Sequence, residues 1–153
     1  MIKRKGNLFD TTATAIGHGV NCDGVMGAGI ALEFRTRFKW NYETYRKACI
    51  GQQLVPGTAL IVNDTDVTKD DYLEYTIANL ATQGRPGKDA RYDAVFSSAL
   101  SAAGRLKEMN EPVLALPMIG AGIGGLEWSK VETLLHAVEV LVPDFQFEVW
   151  KYE

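Results

Sequence analysis

The spacing of apolar residues along this chain switches between a strand-like and a helix-like period, and the switches mark its elements. Residues 1–9, MIKRKGNLF, suit an edge strand whose Lys and Arg deter edge pairing, with Gly6 and Asn7 marking its end. After a short connection at 11–13, Ala15 to Val20 is apolar enough for a central strand, with His18 among its few polar side chains. From Ala28 to Phe38 the residues Ile30, Ala31, Phe34 and Phe38 recur at intervals of three and four, which predicts a helix. Glu33, Arg35, Arg37 and Lys39 cover its outer face. Trp40 to Leu54 continues as a second helical segment, with Tyr42, Tyr45, Ala48 and Cys49 on one side, and stops at the turn signal Pro56-Gly57.

In the remainder, Thr58 to Val62 reads as a buried strand, and the acidic stretch NDTDVTKDD at 63–71 as a hairpin connection into a strand from Tyr72 to Asn79. The run LATQGRPGKD at 80–89 fits neither period. It leads into a helix from about Ala90 to Met109, with Val95, Ala99, Ala102, Ala103 and Leu106 facing inward. Pro112 to Pro117 is the next buried strand. A helix starting at Trp128 or Ser129 carries Val131, Leu134, Leu135 and Val138 inward, Pro143 ends it, and Phe145 to Tyr152 alternates as a last strand. About six strands interleaved with about four helical segments predict the α/β class, a three-layer α/β/α arrangement. The sheet should be mixed, because the strands at 58 and 72 are joined by a short loop and must run antiparallel. No repeat or boundary divides the chain, so 1–153 reads as one domain.

Composition narrows the function classes. A chain of 153 residues that is 46% hydrophobic supports one real core. Its net charge of -3 argues against a general nucleic-acid binder, since phosphate-tracking surfaces are built from clustered Lys and Arg. The longest apolar runs are too short to span a bilayer, and the first residues lack a signal peptide's apolar stretch, so no membrane partner and a cytoplasmic location are expected. A monomer is expected. Cys22 and Cys49 do not form a metal-ligand spacing and His is scarce, so neither a metal nor a cofactor is expected. Cys22 reads as a small buried residue beside the sheet rather than a nucleophile.

Candidate chemistry sits at two glycine-rich loops. GHGVNCDGVMGAGIALEF at 17–34 passes from a strand through glycines 24, 27 and 29 into a helix, and PMIGAGIGG at 117–125 repeats the arrangement. Both should lie at the carboxyl ends of sheet strands, where ligands of open α/β sheets bind. Glycine leaves backbone N–H groups bare enough to lie against an anion, and a helix start adds its positive dipole end. A ligand with phosphate groups is therefore expected, held largely by main chain.

These residues carry a family resemblance. The segments NLF at 7–9, HGVN at 18–21, GVMGAGIALEF at 24–34, NLATQGRPG at 79–87 and LPMIGAGIGGLEW at 116–128, in that order, resemble a macrodomain, the ADP-ribose-binding fold. It resembles in particular the compact branch containing ADP-ribose 1''-phosphate processing proteins and the deacylases that free ADP-ribose from proteins. The resemblance implies that Asn7 and Leu8 border the adenine, that Asn21 bonds the distal ribose, and that Gly27, Ala28, Gly29 and Ile30 line it. Gly120, Ala121, Gly122, Ile123 and Gly124 would hold the pyrophosphate, and Trp150 could stack on adenine.

The resemblance also implies chemistry. The deacylase branch uses a lysine that attacks the sugar and an acid that assists it; Gln83 and Gly124 stand at those positions, so the covalent route is expected to be absent. The yeast-type phosphatases share a His three residues before the Asn and then a GAG loop, which matches His18, Asn21 and Gly27 to Gly29. His18 or Asp23 could then activate a water or protonate the leaving oxygen, beside Asn21. Hydrolysis of ADP-ribose 1''-phosphate to ADP-ribose and phosphate is the expectation, with a non-catalytic ADP-ribose reader, or a hydrolase of ADP-ribosylated targets lacking the lysine, as alternatives.

Overall fold

A computed structural model describes residues 1–153. Its strands are β1 (Ile2–Lys5), β2 (Ala15–Val20), β3 (Ala59–Thr65), β4 (Glu74–Ala81), β5 (Val113–Pro117) and β6 (Gln146–Lys151). The helices are α1 (Gly29–Arg37), α2 (Lys39–Ile50), α3 (Tyr92–Glu108) and α4 (Trp128–Leu141), with 3-10 turns at Leu8–Asp10 and Gly122–Gly124. The strands form one sheet in the order β1-β6-β5-β2-β4-β3. All neighbours are parallel except β3 and β4.

Helices cover both faces, so successive residues of the central strands enter different cores. Ala15, Leu80 and Leu114 pack with Val95, Leu106 and Leu135 on the side of α3 and α4. Ile16, Ala81 and Ala115 pack with Phe34, Phe38 and Tyr45 on the side of α1 and α2. This is the three-layer α/β/α arrangement with a mixed six-stranded sheet.

Two stretches differ in detail from the sequence reading. The first strand ends at Lys5, as Gly6 and Asn7 signal, but Leu8 and Phe9, read within the same edge-strand stretch, fold inward as a 3-10 turn. The Asn7 side chain accepts from the Phe9 N–H at 2.9 Å and fixes that turn, so that both apolar residues reach the core. The second departure is the hairpin: β3 runs to Thr65, paired with Glu74, and the connection is 66–73. Tyr72 takes a φ of 54° and is exposed, as a loop residue. Asp66 turns into the protein, caps the Thr68 N–H at 2.9 Å and pairs with Arg37 at 3.0 Å. Burial alone would raise its carboxyl, but the Thr68 and Arg37 hydrogen bonds hold it below the usual carboxylate range.

The carboxyl ends of β2, β4 and β5 thus lie side by side at mid-sheet. From them leave the first glycine loop (21–28), the β4–α3 loop (82–91) and the second glycine loop (118–127).

Candidate functional site

Between these loops lies a cleft of about 350 Å³. Val20 and Asn21 border it at the end of β2, Gly27, Ala28, Gly29 and Ile30 on one side, and Thr82 and Gln83 at the end of β4. Gly120, Ala121, Ile123 and Gly124 close the other side, and the Ile123 side chain reaches to within contact distance of Gly29 across the gap.

The backbone gives this cleft its chemistry. None of the N–H groups from Gly27 to Ile30 or from Gly120 to Gly124 donates to an acceptor within the protein. The two loops therefore face each other as rows of free donors, and α1 starts at Gly29 with its positive end on the cleft. The lining holds no Asp, Glu, Lys, Arg, His or Cys side chain. Its electrostatics come from main-chain dipoles, which suit phosphate groups and offer no proton acceptor.

Asn21 is held from two directions. Its Oδ1 accepts from the Asp23 N–H at 3.0 Å and from the Tyr45 hydroxyl at 2.8 Å, and its Nδ2 donates to the Val25 carbonyl at 2.8 Å. Tyr45 is fully buried on α2, and its single hydroxyl proton is shared between Asn21 Oδ1 and the Asn21 carbonyl, each 2.8 Å away. Burial raises the Tyr45 phenol pKa, so it remains a hydroxyl donor. Gln83 organises the opposite wall: its Nε2 donates to the carbonyls of Arg85 at 2.6 Å and Gly87 at 2.9 Å. Asp89 completes that loop by accepting from the N–H groups of Gly84 and Arg85 at 3.0 and 2.9 Å. The sequence reading missed Tyr45 and Asp89 as site supports. Tyr45 was legible only as an apolar helix position, and Asp89 only as one polar residue of an irregular loop.

His18 requires a correction, because its side chain does not reach the cleft. It points to the opposite side of β2 and is fully buried, with its ring stacked on Phe34 at 3.8 Å between centroids. Nε2 donates to Asn79 Oδ1 at 3.0 Å, and Asn79 in turn exchanges two hydrogen bonds with Asn41. Burial pushes the imidazole down to about 4, against the Asn79 hydrogen bond that raises it. A neutral ring sealed behind Phe34 neither activates a water nor protonates a leaving group in the cleft.

The other expected residues divide into two groups. Asn21, Gln83, Gly27 to Ile30, and Gly120, Ala121, Ile123 and Gly124 meet at the cleft. Gly122 stands at the tip of the second loop with open space around it, and Asp23 is exposed outside the lining. Asn7 and the buried Leu8 lie in the 3-10 turn after β1. Trp150 is half-buried on β6, where its indole N–H donates to the buried Glu148 at 2.7 Å. The Cys22 thiol, 3.5 Å from the Gln83 carbonyl, is pushed up to about 11, mainly by burial, and so is not a thiolate near neutral pH. No group of three His, Cys, Asp or Glu side chains converges to hold a metal ion, and no helix is long and apolar enough to cross a membrane.

Position 124 leaves little room for a side chain of any kind. A Cβ on Gly124 would lie 2.9 Å from the Ala90 Cβ and 3.5 Å from Gln83 Oε1, so the β4–α3 loop fills the space that a side chain would need.

Comparison with known proteins bears on this arrangement. The Macro domain family model matches residues 18–135. The DNA ADP-ribosyl glycohydrolase of Thermus aquaticus is 33% identical over 150 residues, which cover 97% of this chain and 40% of that protein. This chain thus spans about two-fifths of that relative's length. The ADP-ribose 1''-phosphate phosphatase of Scheffersomyces stipitis is 28% identical, covering 85% of this chain and 86% of that one. Among solved structures, the macrodomain of Mycobacterium tuberculosis DarG superposes with a TM-score of 0.84 at 28% identity, covering 98% of this chain and 97% of that one.

Proposed function

Because the chain belongs to the macrodomain family, we propose that its cleft binds ADP-ribose and that the protein is a hydrolase of an ADP-ribose conjugate. One observation carries the binding reading: two facing rows of unpaired N–H donors, on an otherwise uncharged cleft, match a ligand whose charge resides in a diphosphate. The diphosphate lies along Gly120 to Gly124, the distal ribose against Asn21 and Gly27 to Ile30, and the adenine toward Asn7, Leu8 and Trp150. Donors already fixed on strand ends need no reorganisation, and a micromolar affinity of about -8 kcal/mol follows.

The hydrolase reading is supported by similarity to a DNA ADP-ribosyl glycohydrolase and to a phosphatase of ADP-ribose 1''-phosphate. In the phosphatase reaction water attacks the phosphorus, the P–O bond to the distal ribose breaks and the leaving ribose oxygen takes up the proton. In the glycohydrolase reaction water attacks the anomeric carbon of the distal ribose, its bond to the DNA breaks and the leaving group takes up the proton. Asn21 and the loop N–H groups hold the ribose and the attacking water. Gln83 occupies the place of the lysine expected in the deacylase branch and cannot form an imine, so any cleavage proceeds by direct water attack.

A second reading, a reader that binds without turnover, is favoured by the lack of any ionisable side chain in the lining. One experiment decides among them: incubation with ADP-ribose 1''-phosphate and, separately, with an ADP-ribosylated single-stranded oligonucleotide, alongside calorimetry with ADP-ribose. Release of phosphate or of unmodified oligonucleotide identifies the conjugate. Binding without release leaves the reader, and no heat with millimolar ADP-ribose ends the ligand assignment.

A further inference from the structure

The cleft faces its ligand mainly with N–H donors, and a sugar brings donors of its own. Each ribose hydroxyl carries a proton that needs an acceptor once it leaves water. Three polar side chains line the cleft, those of Asn21, Thr82 and Gln83. Asn21 Oδ1 already accepts from the Asp23 N–H and the Tyr45 hydroxyl, so Asn21 has only an N–H left to offer. Gln83 commits its Nε2 to the carbonyls of Arg85 and Gly87, and its Oε1 stands 3.5 Å from where a Cβ on Gly124 would lie, against the second loop.

Thr82 differs from both. It is 1% exposed, and its hydroxyl neither donates to nor accepts from any group in the protein. The hydroxyl is not sealed off, because His18 Nδ1 is the one side-chain polar atom shut away from solvent without a partner. The little surface that Thr82 keeps therefore includes Oγ1, and it opens on the cleft.

The fold sets this hydroxyl beside Asn21. The parallel register of β2 and β4 ends with Val20 next to Ala81, so Asn21 and Thr82 are the following residues of the two strands, and the Cys22 N–H holds the chains together by donating to the Gly84 carbonyl at 2.9 Å. The second glycine loop leaves from β5, on the other flank of β2. Under Thr82 lies Gly19, where a Cβ would stand 2.9 Å from Oγ1 and 3.2 Å from the threonine methyl carbon. Gly19 has no positive φ, so its missing side chain provides room rather than conformation. The Thr82 carbonyl accepts from the Arg91 N–H at 3.0 Å, which fixes the backbone that carries the hydroxyl.

Resting on the ADP-ribose reading above, we propose that Thr82 Oγ1 accepts a hydrogen bond from a hydroxyl of the distal ribose and is the side chain by which the cleft distinguishes ADP-ribose from nucleotides that end at the diphosphate. A site built to bond a hydroxyl disfavours the analogue that lacks it, because the buried polar group is then left without a partner. The main-chain donors give no such selection, since they serve any diphosphate.

The test is calorimetry with ADP-ribose and with ADP, each titrated to millimolar concentration, on the native protein, Thr82→Val and Thr82→Ser. Valine keeps the branched shape that fills the space over Gly19 and removes only the hydroxyl; Thr82→Ala is a second hydroxyl-free variant, and thermal unfolding checks that each is folded. Thr82→Val should bind ADP-ribose about tenfold more weakly and ADP as the native protein does, and Thr82→Ser should restore the ratio of the two affinities. Unchanged ADP-ribose affinity in the hydroxyl-free variants overturns the proposal. Equal weakening of both ligands also overturns it, because the hydroxyl would then serve the diphosphate or the loop, and so does a serine variant as weak as valine, which would assign the effect to the methyl group. No binding of ADP-ribose by the native protein refutes the cleft assignment itself, an outcome read before any variant is compared.

Discussion

His18 Nε2 and Asn79 Oδ1 lie 3.0 Å apart, both side chains fully buried, on adjacent parallel strands whose register pairs the two residues directly. The contact makes His18 part of a buried polar brace that runs through Asn79 to Asn41 and the Leu60 carbonyl, locking β2, β4, β3 and α2 beneath the cleft.

That burial has a pH signature. His18 binds a proton in the unfolded chain near its ordinary value of 6.5 but in the folded protein only near 4. Between those values the unfolded state holds more protons, so stability falls as pH drops through the window and levels off below it. The native protein should lose about 2 kcal/mol of this contribution between pH 7 and pH 5, and His18→Gln should lose less over the same interval. Urea denaturation of both at the two pH values measures the difference. His18→Gln should keep ADP-ribose binding, and loss of binding in a folded variant would return His18 to the site.

Tyr45 stands behind Asn21 and should act through it. Tyr45→Phe removes the donor to Asn21 Oδ1 and should cost about 1 kcal/mol of stability while weakening ADP-ribose by about tenfold. Calorimetry and thermal unfolding check both. An unchanged affinity would mean that the Asx-type turn closed by the Asp23 N–H suffices to hold Asn21.

Gly122 has a φ of 64° and open space where a side chain would project. Gly122→Asn, a residue that tolerates this conformation, should bind ADP-ribose nearly as well as the native protein, whereas Gly122→Glu should bind at least a hundredfold more weakly. The comparison separates backbone strain from charge. Normal binding by Gly122→Glu would place the diphosphate elsewhere.

The contact between positions 124 and 90 should behave as a coupled pair. Gly124→Ala crowds Ala90 and should cost about 1–3 kcal/mol, and adding Ala90→Gly should recover most of it. Thermal unfolding of the four proteins in the cycle measures the coupling, and additive losses would show that the loops accommodate a methyl group freely.

Much of the architecture was legible because it follows from local chemistry. Helical spacing from Ile30 to Phe38 and the apolar runs at 15–20 and 112–117 can be satisfied only by elements at those places. The glycines of GVMGAGI and GAGIGG announce loops whose N–H groups are left bare. What was misread was non-local. The length of β3 depends on its pairing with β4, and Asp66 looked like one more solvated acid because its partner Arg37 lies 29 positions earlier in the chain.

The sequence by itself determined the α/β order of elements and the two glycine loops, and set Gln83 and Gly124 in the loops that follow the fourth and fifth strands. The tertiary structure decided what each polar residue does. Ile16, His18 and Val20 share one parity of β2, and once Ile16 and Val20 pack against α1 and α2, His18 must follow them into that core while Asn21, past the strand's end, turns to the cleft. A side chain's type allows several roles. Which one it fills depends on the strand face, the helix covering that face and partners brought from distant parts of the chain, as with Asn79 for His18, Tyr45 for Asn21 and Ala90 for Gly124.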